Sequence, residues 1–162
     1  MSREYSISAG GLTVAGATTL IGFKPPTNCA IEVLRMWISQ SANVTSVQQR
    51  VEWGTQVVSG SPTFTGATPA KLKTGDPISQ IVSGASLAAG TAGVNATVES
   101  GGARTPMGDA SFNVVSGWEW LFLPDEAPIL SPGLSSAFYL WLPVAPPTTS
   151  GWDCGLIYKE IG

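Results

Sequence analysis

Apolar residues along this chain recur at every second position within short runs. The runs are rich in β-branched and aromatic side chains and are bounded by Gly, Pro, Ser and Asn. This pattern predicts strands at 4–8, 12–15, 18–24, 29–39, 47–58, 94–99, 112–115, 118–123, 137–142 and 152–160. Helix signals are weak because Gly or Pro interrupts every longer window, and only a turn or two is expected near 41–47 and 77–82. The period of two also assigns faces. Val51 and Trp53 point one way and Arg50 and Glu52 the other, while Trp152, Cys154, Leu156 and Tyr158 share a face opposite Asp153, Gly155, Ile157 and Lys159. The run Phe138, Tyr139, Leu140, Trp141, Leu142 is apolar on both faces, so it needs cover on both: the centre of a sandwich under a loop, or a neighbouring subunit.

About ten short strands separated by turn signals indicate a single all-β domain over 1–162, a sandwich or barrel. The long runs 29–39 and 47–58 favour a jelly-roll-like β-sandwich with two facing sheets. Residues 59–93 are the exception, since Pro62, Gly66, Pro69, Gly75, Pro77, Gly84, Gly90 and Gly93 break them too often for regular structure. A loop of that length inside a compact domain usually has a function or embraces a partner.

Composition narrows the function. Charged residues make up only 12% of the chain and histidine is absent, yet there are six tryptophans, 19 glycines and 12 prolines in 162 residues. Ordinary domains carry roughly 25% charged residues, so a part in an assembly is expected. The absence of histidine removes the commonest acid/base group near neutral pH. A net charge of −3 with scattered basic residues argues against a nucleic-acid surface. The opening residues Met1 to Ser8 lack the apolar core of a signal peptide and no run is long and apolar enough to span a membrane, so folding in the cytoplasm of the producing cell is expected. Cys29 and Cys154 are then expected to be free, buried thiols.

No catalytic or metal constellation emerges. Asp125 and Glu126 are adjacent on the chain, so an extended backbone would point them to opposite faces; a solvated turn after Pro124 is the expected reading. Asp109 and Asp153 read as turn or strand-edge acids. Asn43-Val44-Thr45 and Asn95-Ala96-Thr97 fit the N-glycosylation pattern, which without a secretory signal is read as accidental. Neither an enzyme activity nor a cofactor is expected. Trp118 and Trp120 share one face with Glu119 opposite, an arrangement that suits stacking on sugar rings, while the competing reading places all six tryptophans in the core and a subunit interface.

As a whole the chain resembles a family of small proteins encoded by tailed bacteriophages and their prophages. The likeness is carried by Ser8-Ala9-Gly10-Gly11-Leu12-Thr13-Val14-Ala15, by the block 31–57 with Ser39-Gln40-Ser41 and Val47-Gln48-Gln49-Arg50-Val51, and by Ala67-Thr68-Pro69-Ala70-Lys71-Leu72. Asp76-Pro77, Phe112-Asn113-Val114 and Leu142-Pro143-Val144-Ala145-Pro146-Pro147 complete it. The resemblance implies a capsid cement or decoration protein, a jelly-roll subunit commonly trimeric, sitting on the exterior of the virion against the major capsid protein. On that reading the segment 1–15 and the loop 59–93 are contact arms, and the Gly, Ala and Ser content of Ser83 to Gly93 suits a segment that conforms to another surface. Leu12, Val14, Phe64, Leu72, Ile78, Leu87, Tyr139 and Trp141 are the candidate interface residues toward the capsid or a second copy. The alternative is a receptor- or glycan-binding domain of a head or tail fibre using Trp118 and Trp120.

Overall fold

The computed structural model describes residues 3–42 and 45–162. Among them are thirteen strands. The first four are β1 (Arg3–Leu12), β2 (Thr18–Lys24), β3 (Ala30–Gln40) and β4 (Gln48–Val57). A long excursion follows, carrying β5 (Thr63–Gly66), β6 (Ala70–Lys71), β7 (Val82–Ser83) and the start of β8 (Thr91–Val98). The chain then runs through β9 (Arg104–Asn113), β10 (Trp118–Leu121), β11 (Ile129–Leu130), β12 (Ser136–Leu142) and β13 (Trp152–Ile161).

They form a β-sandwich. One sheet has the order β10-β3-β13-β1-β6, with β11 also on β3; the other has the order β5-β8-β2-β12-β4-β9, with β7 also on β8. All pairings are antiparallel except β7 with β8. The predicted faces explain how the sheets close. Trp152, Cys154, Leu156 and Tyr158 are all essentially inaccessible and meet Val51, Phe138, Leu140 and Leu142 of the facing sheet in one core. A row of aromatic rings crosses that core, Tyr5 to Tyr158 at 5.5 Å, Tyr158 to Phe23 at 6.1 Å and Phe23 to Phe138 at 5.2 Å between centroids. Burying rings of this size contributes about 2–3 kcal/mol each.

Several expectations change. The N-terminal residues are not an arm: β1 is one continuous strand between β13 and β6, and Val14 behind it is fully buried. The turn expected at 77–82 is not helical, because Ser79 and Ile81 are drawn into the protein. That expected at 41–47, and the glycosylation pattern at Asn43 and Val44, include residues outside the described ones. Strand β9 begins eight residues before the predicted start, its Gly and Pro having hidden it.

Cys29 and Cys154 are free and buried. Burial, with the nearby Asp153 charge adding to it, pushes the Cys154 thiol up to about 12, and burial also raises Cys29. A thiol reagent at mildly alkaline pH is therefore expected to find no reactive thiolate in the folded protein and both cysteines after denaturation. Rapid native labelling at Cys154 would show that this core opens far more readily than its packing implies.

Candidate contact surfaces

The two sheets leave two open sides, and each is closed differently. On the side of β1 and β8, the closure is the excursion 58–103. Its two ends fold over the outer face of the larger sheet, where Phe64 and Leu87 pack on Ala137 with Val58 and Ala96 at the rim. Gly93 makes this contact possible, since a Cβ there would sit 2.4 Å from Cβ of Phe64. Phe64 and Leu87, expected at an interface with another protein, are thus interior residues. Ser83 to Gly93 is likewise not a free, conforming segment: its last residues already pair with β2, and Ala92 is fully buried.

The middle of the excursion is fastened to the smaller sheet. Lys71 pairs with Tyr5 and Ala70 with Ser6, the Leu72 N–H donates to the Glu4 carbonyl at 3.1 Å, and the Tyr5 hydroxyl donates to the Pro77 carbonyl at 3.1 Å. Beneath them lies a buried polar knot. The Glu160 carboxylate accepts the Ser79 hydroxyl at 2.7 Å and the Gln80 N–H at 2.6 Å. Because the Ser79 proton is committed to Glu160, the Tyr158 hydroxyl donates to Ser79, which also accepts the Ile81 N–H at 2.9 Å. Burial holds the Tyr158 hydroxyl well above its usual range, keeping it a donor. With this backbone held, Leu72, Ile78 and Val82 point outward, 46%, 76% and 53% exposed. Ile78 and Val82 line a cleft of about 380 Å³ with Thr68, Pro69 and Lys71. Leu72 and Ile78, both candidate interface residues in the sequence, are thus exposed, and Val82, which the sequence did not single out, lies exposed beside Ile78.

Strand β12 receives its second cover from the chain itself. Tyr139 is buried on the outer face and donates to Glu52 at 2.7 Å, so it is not an interface residue. Burial first, and this bond to Glu52 second, raise the Tyr139 pKa. The Arg104 guanidinium lies 3.7 Å above the ring of Trp141 and 5.4 Å from that of Tyr139, a cation–π arrangement. Glu99 holds it there at 2.9 Å while accepting both the N–H and the hydroxyl of Thr19. Trp141 is left half-buried, and Leu12 is half-buried where β1 ends. The two-sided apolar pattern of β12 therefore does not require a neighbouring subunit. Glu52, on the face opposite Val51 and Trp53, is only 7% exposed.

The opposite open side, between β9 and β10, is closed by tryptophans. Trp118 and Trp120 do share a face, but it is the inner one: each ring centroid lies 5.4 Å from that of Trp53, with Phe122 edge-on to Trp53 and Trp120. Glu119 on the other face is ion-paired with Arg35 at 2.9 Å. The pair is thus not an outward platform for a sugar ring, although Trp120 remains 42% exposed.

Asp125 and Glu126 lie exposed in a turn, Asp125 with positive φ, Asp109 pairs with Arg50, and Asp153 accepts the Gly11 N–H. Among the described residues no three His, Cys, Asp or Glu side chains are grouped to hold a metal, and no helix is long and apolar enough to cross a membrane. Sequence reasoning missed Arg104, Glu99 and Glu160. Only Glu160 left a signal, being in phase with the core positions Trp152 to Tyr158. Comparison of the chain with family models, curated proteins and solved structures finds no match.

Proposed function

We propose that this chain is a structural virion protein, a capsid cement or decoration subunit that binds the outside of an assembled phage head and stabilises contacts between major capsid proteins. The observation that carries the reading is the outward apolar surface of Leu72, Ile78 and Val82 on a backbone pinned from beneath by Glu160 and Ser79. A rigid apolar surface loses little conformational entropy on docking, and a ligand that binds only the assembled lattice stabilises it. Many copies add their weak contacts. The strand order supports the jelly-roll reading: β1-β13-β3-β10 faces β2-β12-β4-β9, the order of two Greek keys folded together, with the excursion inserted between β4 and β9. Such domains recur in capsids, an argument by analogy. On this reading the subunit is not an enzyme, and any homotrimer uses these exposed residues rather than β12.

Ile78→Lys tests the reading. The side chain is outward, so the subunit is expected to melt within about 1 kcal/mol of the original, while binding to purified undecorated heads falls by about tenfold or more. Undiminished decoration and unchanged thermal rupture of the heads would move the cement role to another surface or remove it.

A further inference from the structure

The tryptophan-closed side of the sandwich holds a second feature that the cement reading does not use. Between the edges of the two sheets lies a cleft of about 320 Å³ lined by Trp53, Met107, Trp120, Phe122, Glu126 and Pro128. Trp53 reaches it by lying across Gly108, where a Cβ would stand 2.3 Å from the indole. A register shift in the β4–β9 pairing leaves Met107 as the extra residue between Pro106 and Gly108, half exposed at the cleft. Three aromatic rings thus line one cleft, Trp53 and Trp120 tilted at 39° and Phe122 edge-on to both. Trp53 is buried, so the accessible ring is chiefly that of Trp120, with an exposed carboxylate among the lining residues. Glu126 forms no ion pair among the described residues, and no basic side chain lines the cleft. Ring faces attract a cation through their quadrupoles, and a carboxylate adds a counter-charge.

The cleft adjoins an unpaired strand. β9 is the last strand of its sheet, and from Gly108 to Asn113 it pairs with β4 on one side only. Alternate N–H and C=O groups of such an edge point away from the sheet and are free to take another strand. Pro106 and the register shift end that stretch at the cleft, which defines where an added strand stops. We propose that this edge binds an extended segment of a partner protein, which pairs along Gly108–Asn113 and places a lysine or arginine side chain in the aromatic cleft opposite Glu126. The mode is strand addition, with the backbone giving affinity and the pocket specificity. A free small cation would leave the β9 edge unused. A second copy meeting this face about a twofold axis through the cleft would set Glu126 against its own equivalent, a like-charge contact. The proposal does not rest on the cement reading.

The test uses the full chain, labelled with ¹⁵N, and a short capped peptide of alternating threonine and valine that ends in lysine, beside a twin ending in norleucine. At millimolar concentration the lysine peptide is expected to shift the amide resonances of Gly108–Asn113 together with the Trp120 indole N–H. The norleucine twin, or the lysine peptide on Glu126→Gln, is expected to bind about three- to tenfold more weakly. Glu126 is exposed, so its replacement leaves the fold intact. Equal binding of the two peptides removes the cation from the proposal, and no shift with either overturns it. Tetramethylammonium chloride moving the indole while the peptide leaves β9 unmoved assigns a small-cation site instead. Concentration-dependent self-association that Glu126→Gln abolishes assigns a second copy.

Discussion

Glu160→Ala is expected to lower the unfolding free energy by about 3 kcal/mol and to release residues 70–83 before the rest of the protein. The carboxylate is the common acceptor for the Ser79 hydroxyl and the Gln80 N–H, and both donors lose their partner in the variant. An unmet buried donor costs about 1–3 kcal/mol, and removing one member of a buried charged network costs more than its net contribution suggests. Glu160→Gln keeps an acceptor oxygen and is expected to lose roughly half as much. Urea denaturation measures the total, and hydrogen exchange at Leu72, Gln80 and Ile81 measures the local release. If those amides stay as protected as before, the excursion is held by its strand pairings alone. The variant also bears on function. A loosened 70–83 segment must be ordered on docking, so affinity for heads should fall even though Leu72, Ile78 and Val82 are unchanged.

Phe138→Ala is expected to be more damaging, by about 4 kcal/mol, with a fall in melting temperature of roughly 8–16 °C. Phe138 is inaccessible, stacks on Phe23 and through it reaches Tyr158 of the opposite sheet. Truncation leaves a cavity between two sheets whose strands are fixed by their ladders and cannot collapse into it. Phe138→Leu fills most of the space and should cost about half as much. A loss near 1 kcal/mol for the alanine variant, measured by calorimetry, would mean that the sheets can close up and that the aromatic row does not set their spacing.

What the sequence determined by itself is whatever depends on the alternation of side chains across a strand. Strands β2, β3, β4, β12 and β13 are legible within a residue or so, and so is the inner face Trp152, Cys154, Leu156, Tyr158, because a period-two pattern has only one register that buries it. The shared face of Trp118 and Trp120 was equally readable. Which way that face points was not, since a pair of indoles has the same spacing whether it turns toward Trp53 or toward solvent.

The tertiary structure alone decided what covers what. Nothing local in the chain says that Phe64 and Leu87 fold back onto Ala137, that Arg104 lies over Trp141, or that Glu160 meets Ser79 across 81 positions. These contacts join residues far apart along the chain, and their energy comes from groups that find each other only once both sheets exist. For the same reason the pattern of β12 left two covers open, a loop of its own chain or a neighbouring subunit. Its apolar outer face was plain in the sequence, but the guanidinium and the excursion that cover it are supplied by the fold.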